Sequence, residues 1–226
     1  MTSPIIVWFR QDLRLIDNPA LITAAREGRP IVPVYIRDDG AAGEWAPGGA
    51  SRWWLHHSLA ALAGALAKRG APLVLRRGAA AKVLDALIDE TGATAVYWNR
   101  CYEPFAIQRD TAIKSALETR GLAAKSFNAA LLFEPWTIKN KSGEPYKVFT
   151  QFWKTCLAQG EPAAPAAAPK KLPAPSRMPK SETLDDWALL PRHPDWAGGL
   201  RDSWMPGEAG AQRKLETFLD QAIAAY

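Results

Sequence analysis

Short apolar runs alternate with longer helical patterns along the first 130 residues, and this alternation limits the fold more than any other feature of the sequence. Five runs rich in β-branched and aromatic residues predict strands, most of them buried on both faces. They are 5–9, 31–36, 72–75, 95–98 and, more weakly, 123–127. The intervening helical patterns are 18–26, 51–69, 80–91 and 105–119. Strand–helix–strand order is typical of a parallel sheet covered on both faces, so residues 1–130 are predicted to form a doubly wound, five-stranded, Rossmann-like α/β domain.

The helix predicted over 51–69 is the best marked of the four. Ser51 is its candidate N-cap, and Gly70 is its candidate stop signal. Helical spacing assigns one set of large apolar residues to its buried stripe. They are Trp54, Leu55, Leu59, Leu62 and Leu66.

The alternation of strand and helix patterns ends after residue 130. Residues 131–206 are predicted to be a connector, because prolines and alanines fill 160–179 and favour an extended chain. Helical spacing returns over 207–226, with a stripe of Leu215, Phe218, Leu219 and Ile223. An amphipathic helix needs a surface to cover its stripe. We therefore expect 207–226 to be the first helix of an all-α domain that is otherwise missing, with self-association through the stripe as an alternative.

Composition excludes several classes of protein. No run of 18 apolar residues occurs, and the start Met1-Thr2-Ser3-Pro4 carries no basic leader, so neither a membrane span nor secretion is expected. Two cysteines, Cys101 and Cys156, are too few for a disulfide framework and favour a cytoplasmic location. The net charge of +5 arises within residues 1–150. It is compatible with an anionic ligand or nucleic acid, and equally with a solvated surface.

Standard nucleotide and metal signatures are also absent from the sequence. Neither a Walker loop nor a G-x-G-x-x-G motif follows the first predicted strand. His56 and His57 are adjacent on a predicted helix and therefore point to different faces, which disfavours joint metal binding. No metal site is predicted.

Polar residues follow the first and fourth predicted strands. Arg10, Asp12 and Arg14 come after the first, and Asn99 and Glu103 come after the fourth. In open parallel sheets, ligands bind beyond the carboxyl ends of the strands, near the point where the strand order reverses. This edge could therefore hold a polar, planar ligand.

A structural interpretation of the same edge is equally open. Asp17 or Asn18 can cap the helix that follows, while Arg14 pairs with Asp12 or Asp17. Cys101 is expected to be a small buried residue rather than a nucleophile, because no histidine lies nearby in the sequence.

Four blocks of sequence carry a family resemblance: 7–18 (VWFRQDLRLIDN), 49–59, 145–153 (PYKVFTQFW) and 206–226. Together, and in this order along the whole chain, they resemble the DNA photolyase and cryptochrome family. The first and third are the most specific. The resemblance implies an antenna-type α/β domain over 1–130, a connector over 131–206, and over 207–226 the start of a helical domain that binds FAD.

The resemblance implies a light-driven enzyme in which reduced FAD splits cyclobutane pyrimidine dimers in damaged DNA. Tyr226 matches the first flavin-contacting tyrosine of the helical domain, but the segments that hold the flavin phosphates are not in the sequence. The chain alone is therefore expected to contain no catalytic residue, to bind no FAD and to repair no DNA. For DNA contact, the best candidate is Lys154, as a phosphate clamp.

The resemblance also implies a pocket for a light-harvesting antenna chromophore. Its candidate residues are Arg10, Asp12, Arg52, Asn99 and Glu103. Members with a folate antenna carry an Asn-Glu pair where this sequence has Phe105 and Ala106. A deazaflavin, a flavin, a folate at another site, or no antenna at all stay open, and the isolated chain is expected to carry no chromophore. Two other functions are retained as alternatives: a cryptochrome-type photoreceptor, and a free-standing nucleotide-binding α/β module.

Overall fold

The structure is a computed structural model that describes residues 2–226, and it contains one five-stranded, all-parallel sheet. The strands are β1 (Ile5–Phe9), β2 (Ile31–Arg37), β3 (Val74–Arg77), β4 (Ala95–Asn99) and β5 (Ala123–Phe127). The helices are α1 (Pro19–Arg26), α2 (Gly49–Ala67), α3 (Ala80–Thr91), α4 (Pro104–Thr119), α5 (Phe149–Ala158), α6 (Gly198–Ser203) and α7 (Glu208–Gln221). The strand order is β3-β2-β1-β4-β5. The predicted doubly wound α/β fold is confirmed.

The hydrophobic core lies in two layers, one on each face of the sheet. Alternate residues of β1 point to opposite faces, so Val7 packs with α1 and α2 while Trp8 packs with α3 and α4. The central strands β1 and β4 are buried throughout. Burial on both faces explains why these strands consist of continuous apolar runs in the sequence.

The helix α2 differs from its prediction in its start and in its buried face. It begins at Gly49 with Gly48 as N-cap, so the predicted cap Ser51 lies inside the first turn. Trp53 is buried at 2% exposure, whereas Trp54, which was expected on the buried stripe, is 41% exposed. Trp54 instead faces Trp204, and the two ring centroids are 5.6 Å apart.

Residues 160–179 contain neither helix nor strand, as their proline content predicts. This segment packs against the α/β domain, because Leu172 is buried in the core beside α2. The Leu172 amide donates to the Arg69 carbonyl at 2.8 Å, and the Ile31 amide donates to the Pro173 carbonyl at 2.7 Å. The connector therefore closes one edge of the α/β domain.

Beyond residue 130, two helices present apolar side chains to solvent. In α5 only Cys156 is buried, and in α7 only Gly210 is buried. The predicted stripe is exposed, including Leu215 in α7 and Ile223 beyond it, because α7 ends at Gln221 and Ile223 begins a short 3-10 turn instead of continuing the helix to 226. Across residues 2–226, no helix is both long enough and apolar enough to cross a membrane. The domain limits at residues 130 and 206 stay predictions.

Candidate functional site

The carboxyl ends of β1 and β4 lie side by side at the centre of the sheet. The chain leaves β1 toward α1 on one face and leaves β4 toward α4 on the other. The strand order reverses here, which makes this edge the place where ligands of open α/β sheets bind. The polar residues that follow both strands in the sequence therefore meet at one point.

Asn99 forms the centre of a hydrogen-bond network at this edge. Its amide nitrogen donates to the Asp12 carboxylate and to the Asn18 side-chain oxygen, the latter at 2.8 Å. Its amide oxygen accepts from the backbone N–H of Ala20 at 3.1 Å. Asn18 also caps α1 by accepting from the Leu21 N–H at 3.1 Å. The network thus fixes the start of α1 against β4, and Asn18 is the helix cap.

Two arginines of the loop between β1 and α1 are engaged mainly with protein groups. Arg10 donates to the Asn99 carbonyl and to Asp110, and its guanidinium carbon lies 4.7 Å from the Trp8 ring centroid. Arg14 donates to the carbonyls of Ile16, Asp17 and Ala129. The predicted ion pair of Arg14 with Asp12 or Asp17 is not formed. Arg10 Nε is buried and has no partner within residues 2–226.

Glu103 links the loop after β4 to the loop after β1. Its Oε1 accepts a hydrogen bond of 2.7 Å from Gln11 Nε2. This bond holds the pKa of Glu103 below its usual value. The other carboxylate oxygen, Oε2, is buried and has no partner within the described part of the chain.

A cavity of about 680 Å³ lies beside this network, between the β1–α1 loop, α2 and the start of α7. We call it the loop cavity. Its polar lining includes Arg10, Gln11 and Asp12, and its aromatic lining includes Tyr35 and Trp54. Of the five predicted pocket residues, Arg10 and Asp12 line the cavity directly. Asn99 and Glu103 reach it through hydrogen bonds to the lining residues Asp12 and Gln11.

Arg52 and Trp54 both lie elsewhere than the sequence predicted. Arg52 is exposed on α2 and is not among the residues that line the loop cavity. Trp54, which the sequence assigned to the core, forms part of its wall. The combination of an aromatic wall, convergent polar groups and this volume suits a planar heteroaromatic ligand.

A family model described as DNA photolyase matches residues 5–175. The chain belongs to the DNA photolyase family. The four sequence blocks and the doubly wound sheet agree with this membership.

Three similar proteins define the place of this photolyase-family chain more closely. The deoxyribodipyrimidine photo-lyase of Agrobacterium fabrum is 51% identical over 225 residues, which are 100% of this chain and 46% of that protein. The crystal structure of a class III photolyase from Agrobacterium tumefaciens matches with a TM-score of 0.91 and 51% identity, over 97% of this chain and 45% of that one. Cryptochrome-1 of Arabidopsis thaliana is 35% identical over 98% of this chain and 32% of its own length. The chain thus spans less than half of these relatives.

A second, larger cavity of about 940 Å³ lies on the other face of the sheet, between the ends of β2 and β3 and the helix α4. Three arginines line it, but each is paired: Arg37 with Asp39, Arg77 with Glu182 and Arg109 with Asp110. Phe105 also lines it. Within residues 2–226 its lining contains neither Trp nor Tyr, whereas the loop cavity has Tyr35 and Trp54, so this cavity is a weaker candidate for a planar ligand despite its size.

Cys101 and the paired histidines carry no evident chemistry. Burial raises the pKa of the Cys101 thiol, so the thiol stays protonated and is a poor nucleophile. Burial also lowers the pKa values of His56 and His57, whose ring centroids are 5.2 Å apart. Among residues 2–226, no three His, Cys, Asp or Glu side chains form a group that could hold a metal ion.

The remaining two candidate residues lie outside the loop cavity. Tyr226 is fully exposed, and its ring contacts Phe218 at a centroid distance of 5.9 Å. Lys154 is exposed on α5 beside the partly exposed rings of Phe152 and Trp153. The structure therefore does not bring Tyr226 and Lys154, the candidate FAD and DNA residues, to the carboxyl edge of the sheet.

Proposed function

We propose that this chain is the N-terminal region of a light-driven DNA repair enzyme that splits cyclobutane pyrimidine dimers using reduced FAD. The observation that carries this proposal is the 51% identity to a deoxyribodipyrimidine photo-lyase along the entire chain. In the whole protein, FAD supplies the electron that splits the dimer. Within this chain, Tyr226 is the proposed flavin contact, and we assign no catalytic residue to it.

The α/β domain then serves as the antenna domain, with the chromophore in the loop cavity. The cavity volume lies within the usual range of roughly 300 to 1,000 Å³ for small-molecule sites. Trp54 offers a flat surface for a ring system, and Gln11 and Asp12 place polar side chains in the same lining. These features fit a planar, acceptor-bearing ring such as a flavin, a deazaflavin or a pterin.

Phe105 and Ala106 bear on the type of antenna. Both stand where folate-binding relatives carry the Asn-Glu pair, and Phe105 lines the larger cavity rather than the loop cavity. A folate held in that familiar way is therefore disfavoured. A flavin or deazaflavin in the loop cavity is the form of the proposal that we favour.

Titration of the chain with flavin mononucleotide tests the antenna proposal directly. We expect the purified chain to carry no chromophore and then to quench flavin fluorescence as it binds, with a midpoint in the micromolar range or weaker. Trp54→Ala should weaken binding several-fold. Trp45→Ala is the matched control, because Trp45 is exposed and does not line the cavity. Equal affinity in both variants would place the flavin elsewhere and overturn the cavity assignment.

Damaged DNA is the proposed partner of the whole protein, with Lys154 as a phosphate contact in this chain. Lys154 is exposed on α5 and free to reach a phosphate. Lys154→Ala should lower the affinity of the whole protein for DNA uniformly, independent of the lesion.

We place the protein in the cytoplasm, since Cys101 and Cys156 are both free thiols.

The second candidate function is that of a cryptochrome photoreceptor, which signals and does not repair. The 35% identity to a plant cryptochrome over nearly the whole chain supports it. A dimer-repair assay on the product of the complete reading frame separates the two. Light-dependent loss of dimers supports the photolyase proposal, and no repair by a flavin-loaded protein favours the cryptochrome.

A further inference from the structure

The block Pro206-Gly207-Glu208 joins α7 to the α/β domain at one well-defined point. The Glu208 carboxylate accepts two hydrogen bonds from successive backbone amides of the β1–α1 loop. Its Oε2 accepts from the Leu15 N–H at 3.0 Å, and its Oε1 accepts from the Ile16 N–H at 2.7 Å. The two partners are separated from Glu208 by more than 190 positions in the sequence.

These two amides need an acceptor that the sheet does not supply. They lie after the end of β1 and before the cap of α1, and the Leu15 side chain is buried. The Leu15 N–H bond is partly buried, so leaving this N–H unpaired would be costly, whereas the Ile16 N–H bond is exposed. A carboxylate that accepts from two adjacent amides forms charge-assisted bonds and fixes their orientation.

Two glycines allow close packing at the start of α7, one against the α/β domain and one against the segment just before the helix. Gly207 has φ +99°, and a Cβ there would lie 2.8 Å from the Ala61 Cβ of α2. A Cβ on Gly210 would overlap the Met205 carbonyl oxygen. Glu208 also lies in the first turn of α7, where a negative charge is favoured by the helix dipole.

The loop that Glu208 holds is also a wall of the loop cavity. Residues 10–14, 16 and 17 line that cavity, and Gly207 and Glu208 line it next to this loop. The connector holds the same loop from another direction. The Asp17 N–H donates to the Ala166 carbonyl at 2.8 Å, and the Ala166 N–H donates to the Asp17 carboxylate at 3.2 Å.

We propose that Glu208 is a positioning residue that locks the β1–α1 loop onto α7 and so sets the shape of the loop cavity. The proposal makes the first turn of the helical segment part of the ligand site in the α/β domain. It rests on the proposed function only for the identity of the ligand, since the lock itself is a property of the protein.

Residue-resolved hydrogen exchange on the whole chain tests the lock. Glu208→Ala should accelerate exchange of the Leu15 and Ile16 amides at least tenfold, and Glu208→Gln, which keeps one acceptor oxygen, should have a smaller effect. Glu216→Ala is the matched control, because Glu216 is exposed on the same helix. Amides of β1 should be unchanged in all three variants. Unchanged exchange at Leu15 and Ile16, or equal acceleration in β1, would overturn the proposal.

Flavin titration of the same variants tests the consequence for the cavity. Glu208→Ala should weaken flavin mononucleotide binding at least threefold, and Glu216→Ala should leave it unchanged. Faster exchange without a change in affinity would overturn the role in shaping the site. If the wild-type chain binds no flavin, the chromophore proposal fails, while exchange at the two amides still decides whether Glu208 locks the loop.

Discussion

In the α/β domain the apolar residues of the central strands are buried, whereas along α5 and α7 most of them face solvent. This difference in burial does not come from the helical pattern, since α7 carries a regular apolar stripe. It comes from the surface against which each helix packs. The helix α2 lies on the sheet, while α7 touches the domain only near its first turns, through Gly207 and Glu208.

The same contrast applies to polar groups. At the switch point, where the strand order reverses between β1 and β4, the side chains of Asn99, Asp12 and Asn18 are joined by hydrogen bonds in a buried network. The lysine Lys154 and the terminal Tyr226 are exposed. The α/β domain thus buries its central apolar strands and the Asn99 network, although a few buried polar atoms such as Arg10 Nε and Glu103 Oε2 lack partners within residues 2–226, and the later helices present surfaces suited to further contacts.

A pair of leucine truncations gives the largest expected difference between the two regions. Leu59 in α2 is 0% exposed, and Leu215 in α7 is 57% exposed. Leu59→Ala should lower the free energy of unfolding by about 2 to 5 kcal/mol, because it leaves a cavity in the core. Leu215→Ala should change it by less than about 0.5 kcal/mol. Urea unfolding measures both, and similar costs would show that α7 is packed in solution.

Asn99→Ala tests the buried network. The substitution removes two donors and the acceptor of the Ala20 amide, so we expect a loss of about 1 to 3 kcal/mol in the free energy of unfolding. Asn128→Ala is the control, because Asn128 makes its hydrogen bonds in an exposed loop. If both substitutions destabilise equally in urea unfolding, the switch-point network has no special role in stability.

Sequence reasoning predicts the central sheet closely and the surface of α2 poorly. The bounds of β1, β5 and α3 agree with the predicted ranges to the residue. For β1 an uninterrupted apolar run leaves little freedom, whereas β3 begins two residues later than its predicted range of 72–75. By contrast, Trp53 and Trp54 are adjacent and equally apolar, so which one is buried depends on where the helix starts. The helix starts at Gly49 without a side-chain cap, a signal that the sequence does not display.

The sequence likewise predicts some residues of the candidate site and misses others. Arg10, Asp12 and Asn99 come together because the carboxyl ends of neighbouring parallel strands meet at one edge. Arg52 does not join them, since the phase of α2 turns it to solvent. Glu208 carries no local signal of its role, because its partners are amides of a distant loop. The helix α5 was included in the predicted connector and became visible only in the structure.

The exposed stripe of α7 predicts weak self-association. Substituting Leu215 and Leu219 together by Glu should raise the dissociation constant of a dimer about tenfold, which corresponds to about 1.4 kcal/mol. Both side chains are about half exposed, so their removal should not unfold the domain. Sedimentation velocity over a concentration series measures this, with Glu216→Gln as the control. A wild-type chain that stays monomeric at every concentration would contradict the prediction.

The smallest expected effect concerns pH and the link between Gln11 and Glu103. The hydrogen bond from Gln11 lowers the pKa of Glu103 in the folded chain. A lowered pKa stabilises the fold at pH values above the pKa of an unfolded glutamate, and this contribution disappears as the pH falls through the lower, folded pKa. Because the pair is partly solvated, we expect it to contribute less than about 1 kcal/mol.

Urea unfolding of the wild type and of Gln11→Ala at a series of pH values measures this contribution. The difference in the free energy of unfolding between the two proteins should be largest near pH 7. It should shrink as the pH falls below the pKa of an unfolded glutamate. Gln108→Ala, which removes an exposed glutamine of α4, should give a difference that does not vary with pH. A Gln11→Ala effect that is constant with pH would show that the amide acts on the loop through packing. The link between the β1–α1 and β4–α4 loops would then not depend on the charge of Glu103, and the network at Asn99 would remain as the main connection across the switch point.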